Sequence, residues 1–293
     1  MAAGALLLSP AAAFPVERYQ RGSGHIKDVG LTTYSLRSRM RYVRGRETDG
    51  DMEIVDFLEH CAANGIDTAE LTAYYFKPDV KKSELHDIRR RAHLLGIDLA
   101  AGAIGNNFSH RPKSSEAEQQ LQYTRDWIDR FAEMGIPVVR IFAGNPPRGM
   151  SPDEALENVI ANLETALAHA ESRGILLGIE NHDFTMNIDR LLEILSRIDS
   201  KWLGVTFDSG NHLSTASDPY GDLARIAPYA VSAQLKTLIR VNGKQEPVDF
   251  SRVIRILKDA DYRGYVILEY EDKEDPKTAI PRALGEIRAA LAR

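Results

Sequence analysis

The sequence predicts a single (β/α)8 barrel, and two observations carry that expectation. From residue 26 onward, eight apolar runs of strand length alternate with eight amphipathic helical patterns. Glycine follows four of those patterns just ahead of the next apolar run, at Gly65, Gly96, Gly135 and Gly174. There it relieves the left-handed conformation that commonly closes a helix. Eight strand–helix units fit the ~250 residues such a barrel usually needs. The competing architecture, an open doubly wound sheet, calls for a glycine-rich phosphate turn directly after its first strand. Here Gly22-Ser-Gly-His25 precedes the first apolar run instead.

The expected strands are residues 28–34, 68–71, 98–104, 137–142, 176–180, 204–208, 231–236 and 265–269. The expected helices are residues 52–64, 81–95, 115–134, 152–173, 188–198, 222–227, 250–260 and 276–291. The first helix shows the logic, with Ile54, Val55, Leu58 and Cys61 at helical spacing. Ser151-Pro152-Asp153-Glu154 reads as a helix start: a capping serine, proline in the first turn, then acids on the positive end of the dipole. Asp249 is placed to cap the helix beginning at Phe250. No linker divides residues 26–293, which read as one barrel domain.

Residues 1–25 read as an N-terminal extension. They hold a short apolar stretch and an Ala-x-Ala-like site from Ala11 to Ala13, without the basic region that opens a secretory signal. Two readings stand, the tail of an export signal or a plain extension. The first favours an exported, periplasm-type protein over a cytoplasmic one. No later stretch approaches the ~20 apolar residues of a membrane span.

A net charge of -5 argues against nucleic acid as partner, since that needs a basic face. Four arginines between Ser38 and Arg46 are followed at once by Glu47, Asp49, Asp51 and Glu53, the pattern of a solvated loop. The single cysteine, Cys61, excludes an intrachain disulfide and a multi-thiolate zinc site. Its place in a helical pattern marks it as a buried structural thiol.

Four polar residues sit at the C-terminal ends of successive apolar runs: Glu180, Asp208, Gln234 and Glu269. A buried charge at a strand end is costly unless something pairs with it. In a barrel these ends share the catalytic face, so the four converge on an oxygen-rich cage suited to a hard divalent cation. Any one of them alone is explained by a helix cap or an ion pair with arginine. Lys236 shares strand parity with Gln234, and His182 follows Glu180 by two. A lysine beside a dication is expected to have a lowered pKa.

The run from Glu180 to Glu271 resembles the sugar-phosphate isomerase/epimerase superfamily, the xylose-isomerase-like barrels that include ketose 3-epimerases. Glu180-Asn181, Phe207-Asp208-Ser-Gly-Asn211 and Ile267-Leu-Glu269 match its metal-ligand elements, and the likeness extends more diffusely over residues 26–290. Its usual His-x-Lys element reads Gln234-Leu235-Lys236 here. The resemblance implies one divalent metal on Glu180, Asp208, Gln234 and Glu269. With an all-oxygen set the metal is Mn2+ or Mg2+ ahead of Zn2+. It also implies Glu180 and Glu269 as proton shuttles, His182 and Lys236 as further acid–base candidates, and Asn211, His212 and Arg240 as substrate contacts. Each has a plainer reading: an ion pair for Lys236, a satisfied histidine for His182, solvent exposure for Arg240. Glu70, Arg140, Tyr74-Tyr75 and Phe108 stand as structural or substrate contacts, and Glu271 as a supporting carboxylate.

The activity so implied is a metal-dependent sugar isomerase or epimerase working by proton abstraction next to a carbonyl, through an enediolate. The same enediolate supports a 3-keto-glycoside lyase or hydratase acting by β-elimination, and a non-catalytic sugar-binding barrel is the third reading. The expected partner is a small sugar or keto-glycoside; a homo-oligomer is expected by the same likeness. An apurinic endonuclease shares the barrel but needs many histidines and a basic groove, against eight His and an acidic chain here.

Overall fold

The computed structural model describes Val16, Arg18, Tyr19, Arg21 and residues 24–293. The Ala11 to Ala13 site lies outside the described residues. Eight strands form the barrel: β1 (Val29–Thr32), β2 (Thr68–Thr72), β3 (Asp98–Ala103), β4 (Val138–Ile141), β5 (Leu176–Glu180), β6 (Leu203–Asp208), β7 (Ala230–Leu235) and β8 (Val266–Leu268). All pairings are parallel. β8 closes onto β1 through Val29↔Val266 and Leu31↔Leu268, which rules out the open doubly wound sheet. Eight helices alternate with them: α1 (Ile54–Ala63), α2 (Lys82–Leu95), α3 (Ser115–Met134), α4 (Pro152–Arg173), α5 (Ile188–Arg197), α6 (Pro219–Ile226), α7 (Phe250–Asp259) and α8 (Pro276–Leu291).

The caps follow the expected chemistry. Ser151 accepts the Glu154 N–H with Pro152 in the first turn, and Asp249 accepts the Arg252 N–H at 2.9 Å. Gly135 and Gly174 close α3 and α4 at φ 76° and 69°, which a side chain would resist. α6 begins earlier than its apolar pattern because Asp218 caps it through the Gly221 N–H and Pro219 opens it. β1 stops at Thr32, since Thr33–Arg39 turns into 3-10 helix with Thr32 accepting from the Tyr34 N–H.

Strand parity sorts the core. Val29 and Leu31, Leu177 and Ile179, Val205 and Phe207, and Val266 and Leu268 are fully buried in the layer beneath the helices. The alternate positions face the barrel axis and are small or polar: Gly30 and Thr32, Gly178 and Glu180, Thr206 and Asp208, Ser232 and Gln234. Thr206 Oγ1 donates to the Gly178 carbonyl at 3.2 Å, and Thr32 and Thr72 hydroxyls meet at 3.4 Å. A hydrogen-bonded axis leaves room for charge at its upper end.

Two short hairpins were not foreseen. Tyr42–Val43 pairs with Arg46–Glu47, and Leu238–Val241 pairs with Lys244–Pro247. At the opposite end of the barrel, Tyr19 Oη donates to the Leu203 carbonyl at 3.1 Å and Arg21 Nη2 to the Ala230 carbonyl at 2.7 Å. Among the described residues no helix is long and apolar enough to cross a membrane.

Candidate active site

Glu180 and Asp208 end β5 and β6, Gln234 is the last but one residue of β7, and Glu269 directly follows β8. Asp208 registers beside Gln234, and Gln234 beside Ile267. With Glu70 of β2, Arg140 of β4 and Lys236 they form one polar cluster, none more than 9% exposed.

Each side chain is held from two sides. Arg140 Nε lies 3.1 Å from Glu180 Oε2, and its Nη1 donates to the Ile104 carbonyl at 2.7 Å. Asn211 Nδ2 donates to Glu180 Oε1 at 2.6 Å. Asp208 Oδ1 accepts the N–H groups of Gly210 and Asn211 at 2.8 and 2.9 Å. Asn181, fully buried, accepts the Asp208 N–H at 2.8 Å and donates to the Asp208 and Asn211 carbonyls. Gln234 Nε2 reaches across the barrel to Glu70 Oε1 at 2.8 Å. Lys236 Nζ stands 2.8 Å from Glu271, 3.0 Å from Glu269 and 3.5 Å from Asp208.

Burial raises the carboxyls of Glu180 and Asp208, and Arg140 and Lys236 only partly offset it. Burial likewise raises Glu70. Burial pushes Glu269 the same way, but Lys236 and Arg140 outweigh it and hold this carboxyl below its ordinary value. Burial acts to lower Lys236, yet Asp208, Glu269 and Glu271 raise it well above the usual lysine range. These carboxylates alone set that direction; the expected lowering is the shift that a dication bound beside Lys236 would bring.

Among the described residues no three His, Cys, Asp or Glu side chains stand together as a ready cation cage, and Lys236 lies between Asp208 and Glu269. The donor chemistry nonetheless fits a hard dication. Asp208 Oδ2 and Gln234 Oε1 are buried oxygens that accept no hydrogen bond, the first with Lys236 Nζ 3.5 Å away. Four buried acids (Glu70, Glu180, Asp208, Glu269) face two buried bases (Arg140, Lys236), and burial raises three of the four, a shift that a bound dication would reverse. Buried charge requires a partner, and oxygen donors of this kind suit Mg2+ or Mn2+.

The remaining candidates divide. Asn211, His212, Lys236, Arg240 and Glu271 line a cavity of about 510 Å³ beside the cluster. Arg240 itself is exposed, on the hairpin strand Leu238–Val241. His212 is buried, its Nε2 3.2 Å from the Ser209 carbonyl, and burial lowers its pKa. His182 lies with its ring 4.3 Å from that of Phe142, on whose ring Arg140 also stacks, and its Nδ1 is 3.2 Å from Asp183. Tyr74, Tyr75 and Phe108 are buried. A larger cavity of about 770 Å³, between α1 and α8 on the outer wall, contains none of these residues.

Sequence reasoning passed over Thr185 and Asn106. Thr185 Oγ1 lies 2.6 Å from the Glu180 carbonyl and fixes the turn after β5, where Asp183 has φ 50°. Asn106 pairs both ways with the Phe142 backbone. Neither sits in a pattern that marks it. The hairpin carrying Arg240 did have a signal, Asn242-Gly243 between two extended runs.

A family profile described as xylose isomerase-like TIM barrel matches residues 58–290. Among curated proteins, the chain is 29% identical over 170 residues to an uncharacterised protein of Methanocaldococcus jannaschii, covering 53% of this chain and 58% of that protein. It is 24% identical over 208 residues to 3-oxo-isoapionate decarboxylase of Pectobacterium atrosepticum, covering 71% of this chain and 68% of that one. Solved structures of like fold include a D-tagatose 3-epimerase-like protein (TM-score 0.68, 21% identity, 91% of this chain and 98% of that one). The 3-keto-D-glucoside 4-epimerase of E. coli gives 0.67 at 14% identity, covering 89% and 99%. The IolI protein with a bound zinc atom gives 0.71 at 14%, covering 90% and 96%. With most of its length matched by the profile, the chain belongs to the xylose isomerase-like TIM barrel family.

Proposed function

We propose that the protein is a divalent-metal-dependent enzyme that removes a proton from the carbon next to a carbonyl of a small sugar, and so isomerises or epimerises it. The observation that carries this reading is the pair of buried oxygens that accept no hydrogen bond, Asp208 Oδ2 and Gln234 Oε1, inside a cluster of four buried acids against two buried bases. Glu180, Asp208, Gln234 and Glu269 are the residues to hold the cation, with Mn2+ or Mg2+ favoured. Bound there, it supplies Lewis-acid polarisation of the sugar carbonyl.

The chain's own groups move the proton. Glu269, kept ionised beside Lys236, is the base that takes it. Glu180, held by Arg140 and Asn211, is the group assigned to return it. Return to the opposite face of the same carbon inverts the centre, and return to the neighbouring carbon isomerises the sugar. Lys236 donates a hydrogen bond or proton to the oxygen on which charge develops. Asn211, His212 and Arg240 line the adjoining cavity for the remainder of the substrate.

A second reading is cleavage, of a keto-glycoside by β-elimination from the same enediolate or of a keto acid by loss of carbon dioxide to leave an enolate that is then protonated. It is favoured by the likeness to the decarboxylase, with Lys236 as hydrogen-bond donor to the oxygen that gains charge. One experiment separates the readings. Purified protein loaded with Mn2+ is incubated with ketoses and 3-keto-glycosides in D2O, and deuterium at the α-carbon and released products are followed by NMR. Deuterium uptake with a rearranged sugar supports the first reading, and a released aglycone or carbon dioxide the second. No uptake or product, or metal content unchanged in an Asp208→Ala/Glu269→Ala double variant, refutes the metal-assisted proton abstraction.

A further inference from the structure

Away from the acidic cluster, one cavity collects cations without any carboxylate on its wall. It measures about 420 Å³ and is lined by Arg44, Lys77 and Arg130 together with Tyr74, Tyr123 and Trp127. The arginine-rich loop read as solvated in the sequence explains its first cation. Arg39 pairs with Asp51 at 2.8 Å and Arg41 with Glu53 at 3.2 Å. Arg44 has no carboxylate within ion-pair distance among the described residues. Its guanidinium lies 4.0 Å over the Tyr74 ring, its N–H donates to the Tyr74 carbonyl at 2.7 Å, and its φ of 51° is one that a side chain rarely adopts. Arg130, likewise without a carboxylate among the described residues, stacks 4.8 Å from Trp127. Lys77 is balanced on one side by Glu84.

The wall is preorganised as well as charged. Gln120 accepts the Asn107 N–H through Oε1 at 2.8 Å, which leaves its NH2 group as a donor on the lining. A Cβ on Gly105 would lie 2.4 Å from Tyr74 Oη, so only glycine lets the Tyr74 phenol wedge between this cavity and the barrel mouth. Guanidinium groups held over aromatic faces keep their N–H edges free for an acceptor, and a carboxylate matches that fork.

We propose that this cavity is a second binding site, for a ring-bearing organic carboxylate. The carboxylate accepts from Arg44 and Arg130, and the ring packs against Tyr123 beside the lining edge of Trp127, over which Arg130 stacks. A sugar acid and an aromatic acid share this chemistry. The proposal stands apart from the function assigned to the acidic cluster.

The test uses Trp127 as reporter. The chain has two tryptophans, and the other, Trp202, directly precedes β6 at the far end of the barrel. In a Trp202→Phe background, emission is followed while sodium glucuronate, sodium benzoate or neutral glucose is added at matched ionic strength. A saturable change with glucuronate or benzoate but not with glucose is expected, and whichever acid saturates at the lower concentration identifies the source. Arg44→Gln and Arg130→Gln are each expected to weaken it about tenfold, the loss of one charge-assisted hydrogen bond. Both residues lie at the surface, and circular dichroism confirms the fold; Lys77→Gln serves if either variant melts early. A non-saturable response, an equal response to glucose, or affinities unchanged in these variants overturns the proposal. Glu269→Gln leaves the titration untouched, so this site and the proton chemistry fail or stand separately.

Discussion

Replacing Glu269 by Gln tests the proposed base at the smallest structural cost. The amide keeps the size of the side chain and one oxygen for a cation or for Lys236 Nζ, now 3.0 Å from the carboxylate. What it loses is charge and the ability to take a proton near neutral pH. Lys236 keeps Glu271 at 2.8 Å and Asp208 at 3.5 Å, so it is not left as a lone buried cation. The stability cost is that of turning a charge-assisted hydrogen bond into a weaker one, about 1–2 kcal/mol. In a barrel of this size that lowers the melting temperature by roughly 2–6 °C. The effect on chemistry is far larger, since general acid–base groups contribute about 10²–10⁴-fold. The assay is α-proton exchange in D2O with whichever ketose exchanges fastest on the parent protein, alongside metal content by mass spectrometry and thermal melting. Glu269→Asp, which withdraws the carboxylate by one methylene, is expected to fall between, because a displacement of ~1 Å already costs about 10²-fold. Exchange at the parental rate in Glu269→Gln, with metal and melting also unchanged, would remove Glu269 from the mechanism and turn attention to Glu180, His182 and Lys236.

Other outcomes follow from the same geometry. Gln234→His keeps an N–H for Glu70 and turns the second ring nitrogen where the amide oxygen now lies; its metal preference, read by competition among Mn2+, Co2+ and Zn2+, is expected to move toward Zn2+ or Co2+. An unchanged preference would place Gln234 outside the ligand set. Gly210→Ala brings a methyl within 2.7 Å of Lys236 Cδ and 2.8 Å of the Leu238 carbonyl, so proton exchange should drop at least about tenfold for a stability cost of ~1–3 kcal/mol. Activity at the parental level would show that the position of Lys236 is immaterial. Cys61 is fully buried, and burial pushes its thiol up to about 12, so Ellman's reagent at pH 8 is expected to label it only after unfolding. Labelling of the native protein at the rate of a free thiol would contradict that burial.

The barrel was legible because its outer strand face is continuous hydrocarbon and its helices carry caps such as Ser151 and Asp249. Placement of Glu180, Asp208, Gln234 and Glu269 at one end followed from their position at the C-terminal ends of successive apolar runs. The partner of each did not. The Gln234–Glu70 bond joins residues 164 apart in sequence, and nothing local to either marks it. The three carboxylates around Lys236 (Asp208, Glu269 and Glu271) come from β6 and the segment after β8, and nothing local to the lysine marks them. The 38–46 loop misled in another way. Its charges do balance pairwise at Arg39 and Arg41, but the backbone turn at Arg44 takes one arginine out of that register and lays it on Tyr74.

Tyr19 and Arg21 tie down the first residues of β6 and β7, the two strands whose far ends carry Asp208 and Gln234. Each strand is a near-rigid rod of ~20 Å, at about 3.3 Å per residue. Fastening one tip therefore limits how far the other slides along the barrel axis. Asp208 and Gln234 thus inherit part of their axial position from a segment on the opposite face. A shortened chain starting at residue 26 would keep every side chain of the acidic cluster while releasing two of the rods that aim it.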